Sequence, residues 1–288
     1  MIDPKKLLKQ LRTYERFRSL TKAIQMVALS QLSSLKTKID SRQYALSAFK
    51  PFFTPIFDSE VGNEYLVVPI CVDKSCCGPH NGNIFKATKE VLDELKELNY
   101  SFKIISIGKR AKYFFQKYYK NYQVMNIWNI DREPLSLFVS HILAEKFFNY
   151  SFDYCYFIFN RFYSAFKQRT SYYKIFSYYY FIHNLYEPHS SFDKISQLFS
   201  SLINSITDKS SNFLFFIKDF FEYGFSSFFL DALEENEYSS LGARATAMNN
   251  ATKNAGDIIE NLRLRYNKAR QEQITNELIE IVSAVNFC

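Results

Sequence analysis

The chain has 288 residues, 47% of them hydrophobic, and a formal net charge of +7. That is enough apolar material for a core, but too mild a charge for the concentrated basic stripe that nucleic-acid binding usually shows. The most apolar stretch, FLFFIKDFFEYGFSSFFL (213–230), is interrupted by Lys218, Asp219 and Glu222, which excludes a membrane span. The start MIDPKKLLKQL lacks the apolar core of a signal peptide. Five cysteines without framework spacing point to a reducing compartment. The 30 Phe and 21 Tyr residues, with frequent Lys, Asn and Ile, fit the coding bias of an A+T-rich genome.

Asp3 and Pro4 read as a cap and a first helical residue. Apolar residues then recur mostly every three or four positions at Leu7, Leu11, Tyr14, Phe17, Leu20, Ile24, Val27, Leu32, Leu35 and Ile39, close to the coiled-coil mean. With Pro51 and Pro55 as the stop, this predicts a rod of about 45 residues, roughly 65–70 Å long at ~1.5 Å per residue. The texture then changes. YLVVPICV (65–72), FKIISIG (102–108) and YCYFIFN (154–160) are strand-length apolar runs, separated by helical stretches near 83–98, 111–120 and 135–150. This alternation predicts a small α/β domain with a mostly parallel sheet. Residues 170–182 suggest a further strand, and the Ser-rich stretch 188–211 reads as loop.

From about 213 to 287 a single long helix is expected. Its seam runs through Leu241, Ala245, Met248, Thr252, Ala255, Ile259, Leu262, Tyr266 and Ala269, and is expected to continue at Ile274, Leu278, Ile281 and Val285. Either seam alone leaves apolar surface in water, so the two ends must pair. The fold class expected is α/β: a long coiled coil of N- and C-terminal helices plus a small central α/β domain. The divisions are 1–57, 58–211 (Rossmann-like) and 212–288.

Constellations that could carry chemistry are sparse. Within CVDKSCCGPHNG (71–82), Cys71, Cys76, Cys77 and His80 invite a zinc reading, but their spacing fits no common ligand pattern. Buried cysteines leading into a turn at Gly78 and Pro79 are the expectation, with no metal. Neither GxGxxG nor GxxxxGK[ST] occurs, so no nucleotide or other cofactor is expected. His80, His141, His183 and His189 are scattered, and carboxylates such as those in ALEENEYSS (232–240) read as solvated helix faces. KYFFQKYYKNY and SYYKIFSYYYF interleave aromatics with Lys, a texture compatible with single-stranded nucleic acid. Core and subunit-contact aromatics are the plainer expectation. One helical stretch, YNKARQEQITNELIEIV (266–282), is harder to place, because Arg270, Gln271, Thr275 and Glu277 are mixed into its apolar residues.

The two ends carry a family resemblance. TKAIQMVALSQL (21–32) resembles the N-terminal helix of the gamma subunit of F-type ATP synthase, where T-K-x-M-x-M-V-A is usual; Ile24 replaces a methionine. Residues 243–284, ARATAMNNATKNAGDIIENLRLRYNKARQEQITNELIEIVSA, match that family almost continuously. VDKSCCGPHN stands where the family has a segment like SDRGLCGxxN, with Cys77 and Gly78 in register and Ser75, Cys76 and Pro79 departing from it. IFNRFYSAFKQ (158–168) is similar to the mitochondrial form of another family segment.

The resemblance implies a non-catalytic rotor shaft. The terminal helices would form an antiparallel, left-handed coiled coil inside a ring of three alpha and three beta subunits. The α/β foot would bind the c-ring with the delta and epsilon subunits, and the aromatic interior leaves room for lineage-specific partners. Arg270, Gln271, Thr275, Glu277, Glu280 and Arg244 would contact the beta-subunit catch loops. Lys22, Ile24 and Met26 would lie on the opposing helix, and Ile281, Val282, Val285 and Phe287 would form an apolar bearing tip. The setting implied is the matrix side of the mitochondrial inner membrane, peripheral, although no transit peptide is visible. Cys71 and Cys77 have the five-residue gap of the chloroplast redox switch but lie elsewhere in the chain, so no switch is expected. The alternative is a non-enzymatic coiled-coil adaptor with an α/β head.

Overall fold

A computed structural model describes residues 4–53, 62–130, 134–164, 167–186 and 210–286. Helix α1 (Pro4–Phe53) is followed by β1 (Glu64–Pro69), α2 (His80–Glu97), β2 (Ser101–Ile107), α3 (Lys109–Tyr118) and β3 (Gln123–Ile127). Then come α4 (Leu137–Phe147), β4 (Tyr154–Ser164), β5 (Lys167–Phe176), α5 (Tyr178–Tyr186) and the 77-residue α6 (Ser210–Asn286). The chain divides into two compact units, Leu32–Ala243 and the paired ends Met1–Gln31 with Arg244–Cys288.

In the larger unit the strands form one sheet in the order β3-β2-β1-β4-β5. All neighbours are parallel except β4 and β5, which pair antiparallel. Period-2 alternation explains why the central strands read as unbroken apolar runs, since both faces are covered. Leu66 and Val68 join Phe157, Phe159, Ile105 and Ile107 against α4 and α6, while Tyr65, Val67, Ile104 and Ile158 face α2 and α3. Two segments differ from expectation. β3 escaped notice because it is an edge strand of half-buried residues, with Gln123 and Asn126 in it. The further strand expected in 170–182 is present as β5 but ends at Phe176, and after Ser177 the chain enters α5. The expected loop 188–211 lies outside the described residues up to 209, and α6 begins at Ser210.

The aromatic excess is spent mostly in this core. Phe53, fully buried at the end of α1, lies 5.2 Å from the Phe181 ring, 5.8 Å from Phe221 and 5.6 Å from Phe228, centroid to centroid. Phe225 meets Phe157 at 5.3 Å and Phe148 at 5.0 Å. The run that most resembled a membrane span is thus the face of α6 laid against the sheet. Among the described residues no helix is long and apolar enough to cross a membrane. The Lys–aromatic clusters are also partly internal: Lys96 lies over Tyr119 and Lys174 over Tyr154, 4.9 and 4.6 Å from the ring centroids, contacts of the cation–π kind.

In the other unit the ends pair antiparallel. Thr21 meets Thr252, hydroxyl to hydroxyl, at 2.8 Å, and Arg263 donates to Glu15 at 2.7 Å. Leu7 and Leu11 pack with Leu262, Ala269 and Tyr266. On α6 the inward residues fall at 241, 245, 248, 252, 255, 259, 262, 266 and 269, buried or half-buried throughout. Steps alternating four and three are a strict heptad, which imposes a left-handed supercoil. On α1 the expected seam is corrected. Tyr14, Phe17, Leu20 and Val27 are exposed, whereas Thr21 and Ala28 are buried. A small or polar residue sits inward because close helix approach requires little side-chain volume, and hydrophobicity alone misassigned the phase.

Candidate functional site

The end of α6 answers the puzzle of the mixed polar and apolar stretch. α1 begins at Pro4, and Leu7 is its first buried residue, packed in the cluster that contains Ala269. Beyond Ala269, α6 continues for about 25 Å at ~1.5 Å per residue, and every described side chain there is exposed. Continuing the seam by steps of four and three reaches Gln273, Asn276, Glu280 and Ser283, all polar and exposed. The expected continuation at Ile274, Leu278 and Ile281 is therefore out of phase and is corrected: these residues leave the seam. They lie instead on the opposite side, in an arc of about 160° at ~100° per residue that also carries Arg270, Gln271, Thr275, Glu277 and Val282. Ile274, Leu278, Ile281 and Val282 are 46–60% exposed. The apolar stripe changes face beyond Ala269, the last described residue of α6 in the cluster with Leu7 and Leu11 of α1.

Four of the named contact residues, Arg270, Gln271, Thr275 and Glu277, thus share one face with the apolar stripe. Thr275 donates to the Gln271 carbonyl at 2.9 Å, and Glu277 accepts from Gln273 at 2.8 Å. Glu280 lies on the seam side. Arg244 is half-buried on α6, 26 residues before Arg270 and so about 39 Å away along the axis. On α1, Lys22 and Met26 are exposed and Ile24 half-buried. Ile281 and Val282 are exposed; the side chain of Val285 and all of Phe287 lie outside the described residues.

The sheet offers a second location, the crevice at the carboxyl ends of β1 and β4 where the strand order reverses. Open α/β sheets commonly bind ligands there. In this chain α6 and α2 occupy that ground. The Asn160 N–H donates to Asn236 of α6 at 3.1 Å, and its amide donates to the His80 carbonyl at 2.8 Å. At the start of α3, where a phosphate would sit in a nucleotide site, the Asp73 carboxylate accepts the Lys109 and Asn129 N–H groups. Gly108 precedes it at φ +99, and a Cβ there would strike the Cys71 carbonyl. The tempting cysteines diverge: Cys71 and Cys77 are buried and Cys76 is exposed. Burial, reinforced by Asp73, holds the Cys71 thiol far above its ordinary range. Among the described residues no three His, Cys, Asp or Glu side chains gather as a metal set.

Sequence reasoning missed one constellation. Two acids of ALEENEYSS, expected on a solvated face, are inside, Glu234 and Glu235 at 6% and 2% exposed, as is Asp231 just before it at 1%, while Glu237 is half-buried. Arg161 of β4 lies 3.9 Å from Asp231 and 3.7 Å from Glu235. It also donates to the Tyr173 hydroxyl at 2.7 Å, which in turn donates to Asp231 at 2.6 Å. From α1, Arg42 pairs with Glu234 and the Gln43 amide donates to Glu235. Spacing at 231, 234 and 235 puts three acids on one helical face. The signal available in the sequence was that adjacent residues 228–233 are almost wholly apolar, so that face could not all be solvated.

Burial raises Glu235 to about 7 from 4.5, against the opposing pull of Arg161 and with Asp231 and Asp40 adding to the rise. Asp231 is also raised, again first by burial. The folded state therefore holds protons that the unfolded chain releases. This contribution to stability is full below pH 4.5 and is lost as pH rises towards 7. His80, depressed by burial to about 4 from 6.5, acts in the opposite sense, its contribution being lost as pH falls. Comparing Glu235→Gln with the parent isolates the first effect. The variant gains on the parent by about 1–3 kcal/mol between about pH 5 and about pH 8, measured from urea unfolding at each pH. A difference that does not change with pH would refute the assignment.

Comparison with known proteins bears on both locations. A family model described as ATP synthase matches residues 4–286. The ATP synthase gamma chain of Paramagnetospirillum magneticum is 27% identical over 284 residues, covering 92% of each chain. The mitochondrial gamma subunit of Arabidopsis thaliana is 26% identical over 96% of this chain and 83% of its own. That of Rattus norvegicus is 25% identical over 97% of both. Among solved structures, a chain of the Euglena gracilis mitochondrial ATP synthase (OSCP, F1 and c-ring) matches with TM-score 0.79 at 21% identity, over 98% of this chain and 93% of that one. A chain of the Euglena rotor matches with TM-score 0.76, over 94% and 98%.

Proposed function

Since the chain belongs to the ATP synthase family as a gamma subunit, we propose that it is the central rotor shaft of an F1Fo ATP synthase. The paired ends stand inside the alpha3-beta3 hexamer. The sheet domain binds the c-ring together with the delta and epsilon subunits. The observation that carries this reading is the change of face on α6. An apolar side chain on a helix would normally turn away from water. Here Ile274, Leu278, Ile281 and Val282 are presented outward together with Arg270, Gln271, Thr275 and Glu277, so the surface they complement belongs to another chain. Exposed Phe17, Leu20, Met26 and Val27 on α1 and Ile258 and Leu264 on α6 extend the same character along the shaft.

The shaft does no bond chemistry. Its faces differ, so each beta subunit meets a different set of contacts at a given angle and is biased towards a different nucleotide affinity. Rotation driven through the c-ring cycles that bias, which is coupling by differential contact between states. The alpha and beta subunits supply the catalytic sites. The reading places the complex in the mitochondrial inner membrane with this chain peripheral on the matrix side, supported by the mitochondrial relatives among its matches.

Affinity purification of the tagged chain from native membranes tests the proposal. Alpha and beta subunits are expected in near-stoichiometric yield. Their absence, with a self-dimer in light scattering, would replace the rotor by a self-associating coiled-coil adaptor.

A further inference from the structure

Resting on the rotor reading, we propose that the buried charge cluster of the larger unit is the mechanical joint through which torque passes between the sheet and the shaft helices. Arg161 is the key on the sheet, Asp231 and Glu235 are its seats on α6, and Arg42 and Gln43 carry the connection to α1.

The role of such a joint follows from how the two kinds of contact differ. Hydrophobic burial is non-directional, so the Phe-rich face of α6 holds the helix on the sheet by packing, without bonds of set direction to define its rotational setting. Charge-assisted hydrogen bonds have defined lengths and angles and do define it. The cluster has the mounting that this role demands. β4 is paired with β1 as far as Ile158 and with β5 at Arg161 itself, opposite Arg169, so Arg161 is mounted on the sheet. Its guanidinium stands at ion-pair distance, 3.9 and 3.7 Å, from two acids one helical turn apart, and donates a hydrogen bond to the Tyr173 hydroxyl at 2.7 Å. Tyr173 of the neighbouring strand fastens Asp231 from a second direction at 2.6 Å.

The grip continues along α6. Asn236 accepts the Asn160 N–H, and Gln168 of β5 donates to the Ser239 carbonyl at 3.3 Å. Polar contacts from β4 and β5 therefore track α6 from 231 to 239, about two turns. Glu234 and Glu235 face α1 through Arg42 and Gln43, so both long helices are held at the same level. Replacing a buried ionic cluster by apolar residues of similar volume is often neutral or stabilising. Stability is thus not what these charges uniquely supply; fixed geometry is.

The test uses the assembled complex in sealed inverted membrane vesicles, reading ATP hydrolysis and ATP-driven proton pumping in parallel. Asp231→Asn and Arg161→Gln are expected to keep hydrolysis within about twofold while protons pumped per ATP fall by about threefold or more, because a helix freed from its seat turns without carrying the sheet. Arg161→Lys keeps the charge but not the fork and recovers the ratio only in part. A purely structural role would lower the yield of complex and leave that ratio unchanged. Asp231→Asn complexes, recovered at parental yield and pumping at the parental ratio, would overturn the joint. If Arg161→Gln prevents assembly, the near-isosteric Asp231→Asn and Glu235→Gln decide the matter. Failure of the unmodified chain to co-purify with alpha and beta subunits is a separate result and removes the rotor reading itself.

Discussion

Arg270→Ala combined with Gln271→Ala lowers ATP turnover of the assembled complex by about tenfold or more, the equivalent of ~1.4 kcal/mol or above at the contact. Both side chains are exposed on α6 and share the arc that carries the apolar stripe. A guanidinium there can hold a carboxylate on a facing loop through two parallel hydrogen bonds, a geometry that an ammonium does not reproduce. Arg270→Lys is therefore expected to fall between the parent and the double variant. Alanine is the best helix former, so loss of the helix is not the expected cause, and nucleotide binding to isolated beta subunits is unaffected. The control is Asn276→Ala, which lies on the polar line continuing the seam and should leave turnover within about twofold. Steady-state hydrolysis by the purified complex reads all three. Parental turnover in the double variant would show that this face carries no coupling.

Phe53→Ala destabilises the chain by about 3–5 kcal/mol. Its ring is wholly buried and is the meeting point of α1, α5 and α6, with Phe181, Phe221 and Phe228 all within 5.8 Å between centroids. The site has a complement in Gly224, where an added Cβ would strike the tip of the Phe53 ring. Gly224→Ala gains about 1 kcal/mol in helix propensity and loses about 1–3 kcal/mol to overpacking, with a net loss expected. Because the two positions share one space, Phe53→Leu combined with Gly224→Ala should cost less than the sum of the single changes. Urea unfolding of the full-length chain gives each value. Strict additivity would mean that the ring does not need the glycine.

Periodicity made the large features legible. The heptad from Leu241 to Ala269 and the strand-length apolar runs at 65–72, 102–108 and 154–160 each declare their element without reference to any neighbour. β3 stayed hidden because an edge strand with Gln123 and Asn126 in it has neither continuous apolarity nor clean alternation. The N-terminal seam was misphased for another reason. Thr21 and Ala28 are the inward residues, and neither is apolar enough to outrank Phe17 or Leu20 on composition alone.

Sequence alone determined that two long helices exist, that they pair, that an α/β sheet lies between them in the chain, and which residue types stand near the C-terminus. These are local or periodic properties, written in single-residue spacing. Tertiary structure decided how far the buried seam of α6 runs. Only the burial of Ala269 with Leu7 and Leu11, against exposure from Arg270 on, shows that Ile274 and Leu278 leave the seam and join Arg270 and Gln271 on an outward face. It also decided the fate of Asp231, Glu234 and Glu235. An acid on a helix reads as solvated until a distant Arg161 or Arg42 is brought within reach, and that pairing depends on contacts 70 to almost 200 residues apart in the chain, which no local pattern encodes.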